Sequence, residues 1–118
     1  VSAYFKGGFV TYSLATKAAF LAIDARELAA HGVVSAFTAK AMAEHARRKA
    51  AADISVSFTG VAGPDTLEGQ PAGTVWIGLA RRGQLPEAHV YHFPGGRNDV
   101  RQRAVMTGMM LALRALQA

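Results

Sequence analysis

The sequence predicts an α/β fold with a layered, mixed sheet. Along the chain, segments with the alternating period of strands follow segments with the helical period, which is the pattern of helices packed on a sheet. The strand segments 73–82 and 87–93 are separated only by the four residues GQLP, which predicts a hairpin. Because hairpin strands are antiparallel, the sheet is expected to be mixed rather than wholly parallel.

The first predicted elements are a strand over about 9–13 and a helix over 14–23. The strand follows two glycines and consists of β-branched and aromatic residues. The helix begins at the alanine-rich stretch that comes directly after it. Its candidates for burial are Phe20, Leu21 and Ile23.

Two further helices are predicted from their capping residues. Asp24, with Glu27 three positions on, forms an acidic version of the capping box, and Gly32 ends this short helix. Ser35 is the expected N-cap of a long alanine-rich helix over roughly 36–51. Two side chains of this helix are expected to face inward, Phe37 and Met42.

The second half of the chain predicts strands, a long loop and a terminal helix. Residues 53–60 alternate apolar with hydroxyl side chains, as strands do, and lead into a loop rich in glycine and proline over 61–73. After the hairpin, the segment PGGR interrupts the pattern. An amphipathic helix follows over 98–117, with Asn98 as its expected N-cap.

The composition indicates one globular domain and excludes several classes of protein. A length of 118 residues fits a single domain, and no apolar run is long enough to span a membrane. The chain contains no cysteine, which excludes disulfides, thiolate nucleophiles and zinc sites built on cysteine. We find no secretion signal, so a cytoplasmic location is expected.

The net charge of +5 points to an anionic partner without identifying it. The basic residues are locally dense only in 46–49, 80–82 and 97–103, and no aromatic residues are interleaved with them as in a single-strand nucleic-acid platform. A nucleic-acid partner is therefore not expected. A small anionic ligand is favoured, with a solvated basic face as the alternative.

The segment TGVAGPD, residues 59–65, is the most informative local pattern. It begins at the end of a predicted strand, and its glycines leave successive backbone N–H groups uncovered, so that they can converge on an oxyanion or a phosphate. It has neither the Walker pattern nor G-x-G-x-x-G. A plain tight turn explains the pattern equally well.

Arg97 is a second candidate for binding an anion. It comes directly before the last predicted helix, where the helix dipole and the uncapped amides favour negative charge. A solvated surface arginine is the equal alternative.

The histidines do not predict a metal site. His89 and His92 are three positions apart on a strand, so their side chains point to opposite faces. His31 is at the end of a predicted helix and His45 lies within another. All four are interpreted as structural or solvated, and no metal is expected.

Lys17, five positions after Tyr12, is a candidate general base. A lysine acts as a base only where burial or neighbouring charges lower its pKa, and it then activates a serine or threonine hydroxyl. Taken alone, a lysine in this position is more often a solvated surface residue.

Six segments together resemble one known family. They are AYFKGGFVTYS, HGVVS, AMAEHAR, FTGVAGPD, QPAGTVWIGLA and GGRNDVR. Their order and spacing are similar to those of the CinA C-terminal domain family, the nicotinamide-nucleotide amidohydrolases or NMN deamidases. The resemblance extends over nearly all of residues 2–116.

The resemblance implies a fold and an activity. The fold is a three-layer α/β/α sandwich around a mixed five-stranded sheet, similar to the arrangement of anticodon-binding domains. The reaction is hydrolysis of the carboxamide of nicotinamide mononucleotide to nicotinate mononucleotide and ammonia, with a serine nucleophile and a lysine base. No metal or organic cofactor is implied, and the expected partners are the nucleotide substrate, a fused N-terminal domain and further copies of the chain.

The resemblance also implies roles for particular residues. The catalytic residues that it implies are Lys17 as the base, with Tyr12 and Thr59 as site hydroxyls. The substrate-binding residues that it implies are Gly60, Ala62 and Gly63, through their backbone, and Arg97, through its side chain.

The sequence departs from the family pattern in three places. Leu14 replaces an amide side chain, and Gly96 replaces a carboxylate in the family's G-D-R. The nucleophile segment E-S-C-T-G-G is not among these residues, and Ser2 is not its equivalent. We therefore expect the serine, with the first strand and helix of the domain, upstream of Val1, and we expect this chain alone to be inactive.

The alternative to an amidohydrolase is a module that binds without turnover. Within a CinA protein linked to competence and DNA damage, the domain would then serve as a nucleotide sensor or a protein-interaction unit. The residue at the nucleophile position of the complete protein discriminates between the two.

Overall fold

The structure is a computed structural model that describes residues 18–20, 22–61, 63 and 66–117. Residues 18–20 are helical, as predicted for part of the helix over 14–23, but Ala22, with a φ of 56°, and Ile23 are not helical. The predicted strand over 9–13 lies outside the described residues. The remaining elements are α1 (Ala25–His31), α2 (Ala36–Lys49), β1 (Ile54–Gly60), β2 (Thr74–Arg81), β3 (Glu87–His92) and α3 (Arg97–Gln117).

The described strands form one sheet in the order β1-β2-β3. The predicted hairpin is confirmed, because β2 pairs with β3 in an antiparallel register that places Trp76 opposite Val90. β1 is also antiparallel to β2, and Phe58 lies opposite Ile77. The sheet is therefore antiparallel wherever it is described, and the mixed character that the sequence predicted is not found among these strands. Among the described residues of the loop between β1 and β2 there is no crossover helix, which parallel neighbours would require.

Helices cover both faces of the sheet, which confirms the α/β class and gives three layers. On one face, the hydroxyl of Ser57 in β1 donates to the carbonyl of Ala39 in α2 at 2.6 Å. On the other face, Phe58 and Val56 pack against α3 at Gly108, where an added Cβ would lie 2.5 Å from Phe58 Cζ. α1 packs against α2 on the outside of its layer.

The hydroxyl face of β1, and not its apolar face, is the more deeply buried one. Ser57 is 6% exposed whereas the neighbouring Phe58 is 38% exposed. Ser55 donates to the carbonyl of Ala43 at 2.6 Å, one helical turn from the bond between Ser57 and Ala39. Small hydroxyl side chains that bond to helix carbonyls thus bring α2 very close to the sheet.

Gly78 of β2 lies at the closest point of this contact. A Cβ at this position would overlap the carbonyl oxygen of Ala39 and the hydroxyl of Ser57. The same lack of space explains why the residues of α2 at this contact, Ala39 and Ala43, have small side chains. Phe37 and Met42, predicted to face inward, are only half-buried, and Phe37 instead stacks on His31 with ring centroids 3.9 Å apart. The side chains that α2 buries are Thr38, Ala39, Ala43 and Arg47.

The apolar core lies on the α3 face of the sheet. Val75 and Ile77 of β2 meet Val100 and Ala104 of α3 there, and all four are almost completely buried. Partly buried side chains complete the cluster, namely Val56, Tyr91, Phe93 and Leu111. Among the described residues, no helix is both long enough and apolar enough to cross a membrane.

The predicted caps of α1 and α2 are confirmed, whereas that of α3 is wrong. Asp24 accepts from the amide of Arg26 at 2.9 Å, and Ser35 accepts from that of Thr38 at 3.2 Å. Asn98, predicted as an N-cap, lies inside α3, which begins at Arg97. The carboxylate of Asp99 instead accepts from the amide of Gly96 at 3.1 Å, so the helix starts one residue earlier.

α2 ends at Lys49, two residues before its predicted end. Ala51 has a φ of 52°, in the left-handed region that stops a right-handed helix. Ile23, predicted as buried, is half-buried, and Leu21 lies outside the described residues.

Replacing Gly78 tests the close contact between helix and sheet. Gly78→Ala is expected to lower the free energy of unfolding by about 3 kcal/mol, because the added methyl meets a backbone carbonyl that cannot move independently. Gly83→Ala is the control, since no atom lies within 4 Å of its added Cβ. Only its φ of 77° opposes the change, and the expected loss in the free energy of unfolding is about 1 kcal/mol. Urea unfolding of both variants provides the comparison, and equal losses would contradict a steric role for Gly78.

Candidate functional site

Four segments meet at one end of the sheet. Val61, just after β1, donates its amide to Thr74 at the start of β2 (2.8 Å). Phe93, just after β3, donates to Gly73 at 2.9 Å. Arg97 follows four residues later as the first residue of α3. The predicted site residues Thr59, Gly60, Gly63 and Arg97 therefore belong to the same end of the sheet, which is called the loop end below.

Thr59 is buried at the loop end, with 5% of its surface exposed. Its hydroxyl donates to the carbonyl of Val33, in the segment between α1 and α2, at 2.8 Å. A carbonyl only accepts, so the threonine proton is engaged there and the oxygen offers its lone pairs to other groups. This arrangement favours a role in orienting a neighbouring donor over a role in passing protons on.

Gly60 is positioned so that its amide points away from β2. Successive N–H groups of an antiparallel strand point in opposite directions, and the amide of Val61 points to β2, where it donates to Thr74. The N–H of Gly60 therefore points outward from β1, where it can donate to an oxyanion. A Cβ here would lie 2.7 Å from the backbone oxygen of Thr74, so the position admits only glycine.

Gly63 has a φ of 94°, which L side chains rarely adopt. Its added Cβ would also lie 2.8 Å from Cβ of Ala72. Packing therefore accounts for this glycine without a ligand, and both predicted interpretations, an anion cradle and a tight turn, are compatible with the geometry. Ala62, between the two glycines, lies outside the described residues.

Arg97 is exposed at the N-terminus of α3. Within the described part of the chain, no carboxylate forms an ion pair with its guanidinium. Its positive charge is thus available to an anionic ligand at the loop end, although a solvated arginine has the same geometry.

Lys17 and Tyr12, the predicted base and its partner, lie outside the described residues. The structure brings the threonine, the glycines and Arg97 to the same end of the sheet, and the roles of the lysine and the tyrosine stay predictions.

Sequence reasoning missed Glu68 at the loop end. Its carboxylate accepts from the backbone amides of Val33 and Val34, both at 2.9 Å, and so contacts the same segment as Thr59. Gln70 adds a bond from its side-chain amide to the carbonyl of Val34 at 2.6 Å. The glycine after Glu68 predicts a turn at this position. It does not predict which segment the carboxylate contacts.

The histidines are placed as predicted. His89 pairs with Ile77 and His92 with Thr74, which puts the two side chains on opposite faces of the sheet. Burial, followed by the cations of Lys49 and Arg48, lowers the pKa of His45 within α2. In the part of the chain that the structure describes, no three histidine or carboxylate side chains come together as a metal ion would require.

A comparison with known families identifies the family of the chain. The model of the CinA C-terminal domain matches residues 1–116. The chain belongs to this family. Its α/β architecture is likewise that of CinA superfamily structures.

Relatives named as competence-damage inducible proteins match the whole length of the chain. One from Lacticaseibacillus casei is 99% identical over 118 residues, which is 100% of this chain and 29% of the relative. One from Levilactobacillus brevis is 54% identical over 117 residues, 99% of this chain and 28% of the relative. The CinA domain described here therefore spans less than a third of the length of these relatives.

Solved structures of CinA superfamily proteins have the same fold. A protein from Escherichia coli superimposes with a TM-score of 0.85 at 36% identity, covering 92% of this chain and 63% of that one. A competence/damage inducible protein from Agrobacterium tumefaciens superimposes with a TM-score of 0.84 at 32% identity, covering 94% of this chain and 68% of that one.

Replacing Thr59 tests its bond to Val33. Thr59→Val keeps the shape of the side chain but leaves the carbonyl of Val33 without this donor, and we expect a loss of about 1 kcal/mol in the free energy of unfolding. Thr59→Ser retains the hydroxyl, and its loss in the free energy of unfolding is expected to be smaller than that of Thr59→Val. If urea unfolding gives the same stability for the valine variant and the unsubstituted protein, the bond does not contribute.

Proposed function

We propose that this CinA domain acts as an amidohydrolase that converts nicotinamide mononucleotide to nicotinate mononucleotide and ammonia. One observation carries the proposal: a buried hydroxyl (Thr59), an outward-pointing amide (Gly60) and an exposed cation (Arg97) belong to one end of the sheet. These are the group types needed to orient a base, stabilise an oxyanion and hold a phosphate. Membership of the family supports the choice of substrate.

The first half of the reaction forms an acyl-enzyme. A serine nucleophile attacks the carboxamide carbon while Lys17 takes the proton from its hydroxyl. The lone pairs of Thr59 and the hydroxyl of Tyr12 orient the lysine. The backbone amides of Gly60, Ala62 and Gly63 donate to the oxyanion of the tetrahedral intermediate. The intermediate collapses when the C–N bond breaks, and the lysine returns the proton to the departing ammonia.

The second half of the reaction releases the product. Water attacks the acyl carbon while Lys17 takes a proton from it. The lysine then passes this proton to the serine oxygen, which leaves as nicotinate mononucleotide forms. The proposal requires no metal and no organic cofactor. The proposed location of this enzyme is the cytoplasm.

A second candidate function is binding without turnover. It is favoured by the relatives named as competence-damage inducible proteins, in which the matched region is only 28–29% of the length. In such a protein the domain would act as a nucleotide sensor or as an interaction unit, and a fused domain or a further copy of the chain would be its partner. Binding of nicotinamide mononucleotide with no release of ammonia would favour this function.

The assigned base is tested in the full-length gene product. Lys17→Ala is expected to lower kcat for ammonia release from nicotinamide mononucleotide by about 100-fold or more, because the serine then lacks its proton acceptor. Lys40→Ala is the matched control, since Lys40 is an exposed lysine of α2. Full activity in Lys17→Ala would remove the lysine from the mechanism, and an inactive unsubstituted protein would contradict the amidohydrolase itself.

The assigned role of Arg97 predicts a different kinetic effect. Arg97→Ala is expected to raise KM for nicotinamide mononucleotide by about 10-fold or more, with a smaller change in kcat, because it loses a charged contact to the phosphate. Arg101→Ala removes an exposed arginine one turn later in α3 and serves as the control. Equal KM values for the two variants would show that Arg97 does not hold the substrate.

A further inference from the structure

The connection between β1 and β2 contains a small hairpin with an unusual residue at its tip. Leu67 and Gln70 exchange backbone hydrogen bonds at 3.1 and 2.9 Å, which closes a two-residue turn. Both central residues have positive φ, 53° at Glu68 and 74° at Gly69, as in a type I′ turn. Asparagine or glycine suits the first of these positions, whereas glutamate in the left-handed region is strained.

The side chain of Glu68 explains why a strained residue occupies the tip. Its two carboxylate oxygens accept from the successive amides of Val33 and Val34, at 2.9 Å each. The bonds join residues that are 34 and 35 positions apart in the sequence. Charge-assisted bonds of this kind contribute more than bonds between neutral groups, which offsets the strain of the turn.

Val33 connects the carboxylate to the candidate site. Its N–H donates to Glu68, and its carbonyl accepts from the hydroxyl of Thr59 at 2.8 Å. Gly32, next to it, is also fixed, because its carbonyl accepts from the hydroxyls of Ser35 (2.6 Å) and Thr38 (2.7 Å). A displacement of Val33 would therefore move the acceptor that sets the orientation of the Thr59 hydroxyl.

We propose that Glu68 is a positioning residue. By fixing Val33 it holds the Thr59 hydroxyl in place, and with it the base of the loop between β1 and β2, where the backbones of Val61 and Gly73 are bonded. The assignment of a kinetic effect rests on the proposed amidohydrolase function. Orientation of a catalytic hydroxyl matters most in the transition state, so the loss of Glu68 lowers kcat more than it changes KM.

Three substitutions separate positioning from turn formation. Glu68→Asn suits the left-handed turn but is one carbon shorter and presents only one acceptor oxygen. Glu68→Gln keeps the length and one acceptor oxygen, and Glu68→Ala removes both bonds. Glu87→Ala is the matched control, because it removes an exposed carboxylate from the start of β3.

The variants are compared in the full-length gene product by ammonia release from nicotinamide mononucleotide. We expect kcat to fall by about 10-fold or more in Glu68→Ala and Glu68→Asn, with KM changed by less than about 3-fold. The kcat of Glu68→Gln is expected to lie between the values of these two variants and that of the unsubstituted protein. Glu68→Asn is expected to unfold at the same urea concentration as the unsubstituted protein or a higher one, so that its lower kcat is not a folding defect.

Amide hydrogen exchange tests the same proposal without activity. Glu68→Asn is expected to speed exchange at Val33 and Val34, which lose their acceptor, and at Val61 and Gly73, whose bonds close the base of the loop at 2.8 and 2.6 Å. Glu87→Ala is expected to leave all four amides unchanged.

The outcomes distinguish this proposal from the proposed function. If the unsubstituted protein releases ammonia and Glu68→Asn keeps its kcat, Glu68 is a turn residue only and the positioning role is overturned. If the unsubstituted protein releases no ammonia, the amidohydrolase function fails, and exchange alone decides the role of Glu68. Unchanged exchange at Val61 and Gly73 in Glu68→Asn overturns the proposal in either case.

Discussion

The contact between α2 and the sheet is the constraint on which the rest of the structure depends. Gly78 leaves room for the carbonyl of Ala39 to approach the sheet directly, and Ser57 occupies the second lone pair of that carbonyl with its hydroxyl. Burial of such polar groups is tolerated only when they are hydrogen-bonded. Serine and glycine in the strands, with alanine in the helix, therefore define the contact between α2 and the sheet, and the cluster of Val75, Ile77, Val100 and Ala104 lies on the opposite face.

The same contact decides where the candidate site is built. Because α2 lies so close to β1, the segment that leads into it passes directly beside the end of that strand. There the backbone of Val33 contacts both Thr59 and Glu68. The loop end of the sheet thus acquires a fixed hydroxyl and an outward amide at Gly60, while the charge of Arg97 reaches it from the start of α3. The site consists of groups from four segments that have no common local motif.

Much of the fold followed from local chemistry. Asp24 and Ser35 cap helices because their side chains reach the first free amides. A four-residue connection such as GQLP is so short that the two strands it joins lie side by side and pair as a hairpin. The errors came where distant residues decide. Phe37 and Met42 fit an inward helical face by size, but the close sheet excludes them. Asn98 is a good capping residue in general, but here the carboxylate of Asp99 accepts from the amide of Gly96, and Asn98 lies within the helix.

By itself, the sequence determined the α/β class, the hairpin and the family, because these depend on periodicity, on turn chemistry and on motifs in register. It also predicted a set of site residues. Only the tertiary structure decided which face of β1 is buried, and that the proton of Thr59 is engaged by Val33. It alone revealed Glu68, whose carboxylate binds amides 34 and 35 positions away. Hydrogen bonds between distant segments depend on how closely the layers pack, and no local pattern of residues encodes that distance.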